Sequence, residues 1–380
     1  MPFSNLGLHP SVLKNINQLG YEKPYPIQSE VIPAVLEGKD VLGIAKTGSG
    51  KTASYILPIL TQLQSAKPLE NRHIHTLILV PTRELAIQVN DVTLQFNKQL
   101  PTRVKSLAVF GGVSINPQMI EMQHVSLLVA TPGRLIELLK NKALDLSSLK
   151  TLVLDEADKM LNLGFKEELE KILSFLPKKR QNLLFSATLS DDISHINSIV
   201  LKDPVIIEIE SKGENIDQIT QTGYFISDEK KGPLLRFLIT KNDMKQVLVF
   251  TSSVFKADSV TEKLKINGIL AMAIHSKKSQ NARIDALVKF KNKKINVLVA
   301  TDLIGRGIDI EELPYVINYE LPRSPKDFIH RIGRTGRADA SGEAISFVTV
   351  EDQTHFKVIQ KKMGKWIDMI DGEALLDSKK

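Results

Sequence analysis

Short apolar runs rich in Val, Ile and Leu alternate along the chain with longer stretches in which apolar residues recur at helical spacing. The runs predict strands at Val41 to Ala45, Thr76 to Val80, Ser106 to Phe110, Leu127 to Ala130, Thr151 to Leu154 and Asn182 to Phe185. A second series predicts strands at Gln246 to Phe250, Leu270 to Ile274, Asn296 to Ala300, Tyr315 to Asn318 and Glu343 to Val348. Apolar residues at consecutive rather than alternate positions mean burial on both faces of a strand. The fold class is therefore α/β, with mainly parallel sheets and helices on both sides. The periodicity breaks at the polar stretch Glu210 to Gln218 (ESKGENIDQ). This break divides the chain into an amino-terminal domain over residues 1–209, a linker at 210–218 and a carboxy-terminal domain over 219–380.

Ligands of parallel sheets bind beyond the carboxyl ends of the strands, and the polar signatures fall there. Lys46 to Thr52, Pro81 to Glu84, Gly111 with Gly112, Thr131 to Arg134, Asp155 to Asp158 and Ser186 to Thr188 each follow a strand of the first series. Thr251 to Ser253, His275 and Thr301 to Asp309 do the same in the second. Composition narrows the setting. A chain of 380 residues exceeds one ordinary core and suits two domains. A formal charge of +7 suits a polyanionic partner and equally a basic soluble enzyme. The absence of cysteine excludes disulfides and thiolate metal sites and agrees with a reducing cytoplasm. The first residues, MPFSNLGLHP, lack the features of a signal peptide, and no apolar run reaches transmembrane length. The expectation is a cytoplasmic protein without a membrane partner.

The chemistry is concentrated in segments far apart in sequence. In AKTGSGKT (Ala45 to Thr52) the glycines let the backbone curl, so that N–H groups of Thr47, Gly48, Ser49 and Gly50 can face phosphate. Lys51 can reach the outer phosphates, and the Thr52 hydroxyl a metal. Asp155 ends the apolar run TLVLD as a Walker-B acid does and would share magnesium with Thr52. Glu156 is the natural group to orient and deprotonate an attacking water. HRIGRTGR (His330 to Arg337) spaces Arg334 and Arg337 three apart, on one face of a helix or turn, with Arg331 alongside. Guanidinium groups suit transition-state charge on a γ-phosphate. A solvated basic helix is the competing reading, weakened by Gly333 and Gly336, which an ordinary surface helix avoids.

Together these segments resemble the DEAD-box RNA helicase family over nearly the whole chain, from Phe3 to about Val350. Its order is present in GYEKPYPIQ (Gly20 to Gln28), AKTGSGKT, PTREL (Pro81 to Leu85), GG, TPGR (Thr131 to Arg134), DEAD and SAT (Ser186 to Thr188). It continues through VFTSS (Val249 to Ser253), QNAR (Gln280 to Arg283), ATDLIGRGID (Ala300 to Asp309) and HRIGRTGR. Connecting stretches such as FGGVSINPQM and ELPYVINYELP look most like its bacterial RhlE branch.

The resemblance implies two tandem RecA-like domains using ATP and Mg2+. It implies that Gln28 recognises the adenine edge with Tyr21 or Phe3 packing nearby, that Asp309 contacts ribose, and that Arg334 and Arg337 contact the γ-phosphate. Ser186 and Thr188, bonded to Asp158 and His330, would couple nucleotide to strand separation. RNA would be held by its backbone, by Thr82, Arg83, Gly112, Thr131, Gly133 and Arg134 on one domain and Thr251, Gln280, Arg283 and Thr301 on the other. Such contacts read shape and not sequence.

Three positions depart from the family pattern: Tyr25 where a small hydroxyl residue is usual, Ser276 after the His, and Gly305 before Arg306. Tyr25 either contacts the nucleotide or packs as a buried ring, and packing is the favoured reading. The expected activity is ATP-dependent, local, non-processive opening of short RNA duplexes. An ATP-gated RNA clamp is the alternative, and a processive DNA helicase is disfavoured. Partners in ribonucleoproteins, ribosome assembly or RNA decay stay equally open.

Overall fold

Every strand that the apolar runs predict is present in the computed structural model, displaced by no more than one residue at either end. The structure describes residues 2–46, 48–67, 70–188, 196–197, 199–209, 219–302, 313–335 and 342–378. The chain divides into two units, Met1–Ser211 and Lys212–Lys380. The expected linker, residues 210–218, lies outside the described residues.

The first unit contains β1 (Val41–Ile44), β2 (Thr76–Leu79), β3 (Ser106–Val109), β4 (Leu127–Ala130), β5 (Thr151–Leu154), β6 (Gln181–Ser186) and β7 (Val205–Glu208). Its helices include α1 (Pro10–Gln18), α2 (Pro26–Leu36), α3 (Lys51–Gln64), α4 (Arg83–Asn97), α5 (Ile115–Glu121), α6 (Pro132–Lys140), α7 (Ala157–Asn162) and α8 (Lys166–Ser174). The second unit contains β8 (Ile219–Phe225), β9 (Val247–Thr251), β10 (Ala271–Ile274), β11 (Val297–Thr301), β12 (Tyr315–Asn318), β13 (Gly342–Val348) and β14 (Asp368–Asp371). Between and after them run α9 (Asp228–Lys241), α10 (Val254–Ile266), α11 (Gln280–Lys291), α12 (Pro325–Ile332), α13 (Gln353–Met363) and α14 (Gly372–Asp377).

The sheets are ordered β3-β4-β2-β5-β6-β1-β7 and β10-β11-β9-β12-β13-β8-β14, and every strand pair is parallel. Numbered from its own first strand, the second sheet repeats the order of the first. In the first sheet β1, β2, β4 and β5 are buried along their whole length. Successive residues feed opposite faces: Val41, Ile78, Val129 and Val153 enter one core, while Leu42, Leu79, Leu128 and Leu152 enter the other.

Three strands escape the sequence reading. β7 and β14 are sheet edges with shallow burial: β7 (VIIE) has three consecutive apolar residues, of which only Ile207 is buried, and β14 (DMID) has only two apolar residues. β8 reads ITQTGYF, with Thr and Gln interrupting the apolar residues beside the polar boundary stretch. Among the described residues no helix is long and apolar enough to cross a membrane.

A buried carboxylate ties the entry of three adjacent strands. Asp40 Oδ1 accepts from the Asn182 amide at 2.7 Å, while Oδ2 accepts from Asn182 Nδ2 at 3.1 Å and from the Lys202 amide at 2.8 Å. These bonds fix β1 against β6 and β7, and so fix where the loop after β1 begins. Asp40→Ala leaves two buried amides without acceptors and should destabilise the first unit by about 2–4 kcal/mol. Urea unfolding followed by circular dichroism should show the loss. Fluorescence of the single tryptophan, Trp366 in the second unit, should keep its midpoint.

Candidate nucleotide site and nucleic-acid interface

β1 runs out at Ile44 and the chain turns through two left-handed glycines, Gly48 at φ 80° and Gly50 at φ 87°, before α3 starts at Lys51. Gly50 is demanded by contact as well as by φ, since a Cβ there would come within 2.5 Å of Gln28 Nε2. Gln28 is buried and engaged at both ends: Oε1 accepts from the Tyr25 amide at 3.0 Å, and Nε2 donates to the Gly50 carbonyl at 3.1 Å. The expected adenine reader is thus tied directly to the loop. Ser49 Oγ donates to the Lys46 carbonyl at 2.8 Å, and the Lys51 ammonium donates to the Ala45 carbonyl. Thr52 follows Lys51 in the first turn of α3, and Thr47 lies outside the described residues.

The DEAD segment places two buried carboxylates at the end of β5. Asp155 Oδ2 accepts from the Tyr55 hydroxyl at 2.7 Å and Oδ1 from the Glu156 amide at 2.9 Å. Burial pushes the Asp155 pKa up against the opposing charge of Lys51, and the same burial pulls Lys51 down against Asp155 and Glu156. Glu156 occupies the left-handed region at φ 52°, a conformation that costs a non-glycine residue about 1 kcal/mol. Its Oε1 pairs with Lys159 Nζ at 2.6 Å, while Oε2 is buried without a hydrogen-bond partner among the described residues. Desolvation raises the Glu156 pKa, with Lys159 opposing it. Asp158 Oδ2 accepts from Thr188 Oγ1 at 3.3 Å, and Ser186 Oγ donates to the Thr188 carbonyl at 2.7 Å, so the Asp158, Ser186 and Thr188 group is assembled.

Of the three aromatic residues singled out, Phe3 and Tyr25 depart from expectation. Phe3, 4% exposed, is a core residue beneath α1 and α2. Tyr21 packs its ring on Phe96 at 5.4 Å. Tyr25 is not the buried ring that its size suggested. It is 53% exposed at the start of α2, with its ring edge 3.1 Å from where a Gly50 Cβ would stand.

Along the rest of the first rim, Thr82 caps α4 by accepting from the Leu85 amide at 3.3 Å, and Thr131 precedes α6. The Arg83 guanidinium lies under Gly112, whose Cβ would meet Nη1 at 1.9 Å. Gly112 is also left-handed, at φ 77°. Gly133 has neither constraint, and a Cβ there meets nothing within 4 Å. Arg134 is buried: Nε donates to Glu137 at 2.8 Å, Nη2 to the Val113 carbonyl at 2.7 Å, and Nη1 has no partner among the described residues.

In the second unit Thr251 and Thr301 end neighbouring strands β9 and β11, and Thr251 Oγ1 donates to the Ser253 carbonyl at 3.3 Å. Gln280 opens α11 and accepts from Arg283 Nη1 at 3.3 Å. Arg331, read from sequence as companion to the phosphate arginines, is instead bound into the fold. Nε and Nη2 clasp Asp302 at 2.5 and 2.8 Å, Nη1 reaches Asn318 at 3.1 Å and the Glu320 carbonyl at 2.6 Å, and the guanidinium lies over Phe250. His330 lies in α12, and Arg334 in the turn beyond its end at Ile332. Asp309 and Arg337 fall outside the described residues.

Residues 25–196 match the DEAD/DEAH box helicase model and residues 229–339 the helicase conserved C-terminal domain model. The ATP-dependent RNA helicase CshA of Limosilactobacillus reuteri is 41% identical over 362 residues, covering 95% of this chain and 72% of that protein. The chain belongs to the DEAD-box ATP-dependent RNA helicases. The ATP-dependent rRNA helicase RRP3 of Meyerozyma guilliermondii is 40% identical over 364 residues, covering 95% of this chain and 75% of its own length. The structure of S. cerevisiae Dbp5 bound to RNA and ADP BeF3 is similar to that of this DEAD-box helicase, with a TM-score of 0.83, 29% identity and 99% of each chain covered.

The sequence reading of this helicase missed Tyr55. Its hydroxyl reaches Asp155 across a hundred residues of chain, and a Tyr inside an apolar helix segment, SYILPIL, carries no local sign of that bond. Burial and the Asp155 charge hold the Tyr55 pKa well above its ordinary value, so at neutral pH the group remains a donor.

The raised Glu156 pKa has a measurable consequence. Ionised Glu156 costs the folded state stability above its folded pKa, and that cost vanishes below the ordinary carboxylate value of 4.5. Glu156→Gln removes the charge, so the variant should melt above the parent at pH 7 to 8. The gap should close as pH falls through the raised pKa, and a series of thermal melts would show both.

Proposed function

We propose that this DEAD-box helicase opens short RNA duplexes locally, with ATP and RNA drawing its two units into one working state and hydrolysis releasing them. The observation that carries the reading is the buried Glu156 Oε2, without a hydrogen-bond partner among the described residues, beside Asp155 and Lys51. A carboxylate oxygen kept dry and without a donor is suited to accept a proton or hydrogen bond from a water brought in with substrate. Lys51 would leave the Ala45 carbonyl for the outer phosphates, and the loop amides of residues 47–50 would receive the phosphate tail. Asp155 and Thr52 would hold magnesium, and the fit is supported by a fully buried carboxylate whose negative charge is only partly offset by Lys51. A magnesium ion held there would supply neutralisation of phosphate charge. Gln28 would read adenine with the hydrogen-bonding capacity left over from Tyr25 and Gly50. Arg334 and Arg337 would face the γ-phosphate from the second unit, and Asp309 the ribose.

RNA lies, on this reading, along both rims and is held by its backbone. Thr82, Arg83, Gly112, Thr131 and Gly133 contribute from the first unit, and Thr251, Gln280, Arg283 and Thr301 from the second. Arg134 acts mainly by bracing the loop after β3 through Val113, with Nη1 as its remaining donor. Partners in ribonucleoproteins, ribosome assembly or RNA decay would be met through this sequence-independent grip.

ATP hydrolysis should be weak alone and strongly stimulated by RNA but not by DNA. Unwinding with excess trap RNA should succeed for duplexes of about one helical turn and fall sharply beyond about two. Undiminished single-encounter opening of a duplex several turns long would overturn local opening in favour of translocation.

The glycines separate fold from ligand. Gly133→Ala should keep or modestly raise the melting temperature, since it adds a helix former within α6, and weaken RNA binding by about tenfold, because a methyl group there meets only the ligand. Gly112→Ala should lower both, since it displaces Arg83 and forces a left-handed alanine. Filter binding and thermal melts of the two variants would distinguish the cases.

A further inference from the structure

Tyr55 lies one turn after Lys51 on α3 and is fully buried. Its ring packs at a tilt on Phe185, with centroids 5.2 Å apart. The Phe185 ring in turn fills the space over Gly43 of the neighbouring strand, where a Cβ would come within 2.6 Å. With the ring braced from behind, the hydroxyl is aimed at Asp155 Oδ2 at 2.7 Å. The Glu156 amide holds Oδ1 at 2.9 Å, so each oxygen of the carboxylate has its own donor. One buried hydroxyl is therefore bonded directly to a carboxylate proposed to hold the metal.

Packing alone does not call for that hydroxyl, because Phe would fill the same space and burying a hydroxyl is unfavourable unless it is bonded. The carboxylate torsion of an aspartate is intrinsically broad, whereas donors on both oxygens restrict it to one plane. We propose that Tyr55 is a positioning residue of the nucleotide site, its hydroxyl orienting the Asp155 carboxylate for the divalent cation that accompanies ATP. The inference rests on the nucleotide site described above, and deepens it.

The test is Tyr55→Phe in the full chain, with a fluorescent ADP analogue titrated once in Mg2+ and once in EDTA. Loss of a group that orients a metal ligand typically weakens metal binding by about 10–100-fold, so the enhancement of nucleotide affinity by Mg2+ should fall by about tenfold or more. Affinity in EDTA should stay within about twofold of the parent, because the ring and the loop are retained. In an Asp155→Asn background the same Tyr55→Phe change should do nothing further to the Mg2+ enhancement. Equal losses in Mg2+ and EDTA, no loss in either, or an additive effect in the Asp155→Asn background would each overturn the assignment and leave Tyr55 as packing. A parent chain that binds no nucleotide even with Mg2+ would overturn the nucleotide-site reading itself, and this inference with it.

Discussion

Parallel strand pairing is the constraint from which the rest follows. Strands that all run the same way cannot be joined by tight turns, so each is followed by a crossover, usually helical, that buries both sheet faces. The same direction places all seven carboxyl ends of a sheet on one edge, where the backbone is free of the ladder and polar residues can gather. The two units share a strand order but use the shared edge differently. After β1 the chain forms the glycine loop and Lys51, whereas after β8, its positional counterpart, only Ile226 and Ser227 precede α9. Among the described residues only the first rim carries such a glycine loop at this strand position, although both rims present threonines at strand ends. On the proposed function, one strand order used twice presents a nucleotide loop on one unit and a surface for RNA on each.

At that site the fold holds charge that it does not fully satisfy. Asp155 and Glu156 are buried and raised, Lys51 is buried and lowered, and Glu156 sits in a left-handed backbone conformation. Each is unfavourable for the nucleotide-free fold and lies within the small margin by which domains are stable. Metal-bound phosphate would supply the missing cation to the carboxylates and the missing anion to the lysine. On the proposed function, the arrangement is preorganised for its ligand at a cost to the stability of the unliganded fold.

Most interior strands were legible because burial on both faces writes a continuous apolar run, as at Thr151–Leu154; the interior β8 was not, because Thr and Gln interrupt its run. The motif segments were legible because their glycines and charges follow such runs. What was not legible depends on distant contacts. The edge strands Val205–Glu208 and Asp368–Asp371 bury too little to stand out. Phe3 and Tyr25 are both aromatic residues near a nucleotide motif, yet one enters the core and the other lies exposed along Gly50. Nothing in their immediate neighbours decides between these fates. Tyr55 reads as an apolar helix position until β5 is brought beside α3.

The arginines of HRIGRTGR show how far residue type can carry an assignment. Spacing and chemistry give Arg331 and Arg334 equal claims on phosphate, since both offer a planar cation on the same short segment. Geometry separates them. Arg331 directs four hydrogen bonds to Asp302, Asn318 and the Glu320 carbonyl and lies over Phe250, so a phosphate could gain it only by displacing a bidentate carboxylate. Leaving Asp302 without its partner would be more costly than the new contact is favourable. Arg331 therefore joins β11, β12 and α12, and its cation is already neutralised. On the proposed function, the phosphate-facing work passes to the arginines further along the motif, beyond the end of the helix that Arg331 secures.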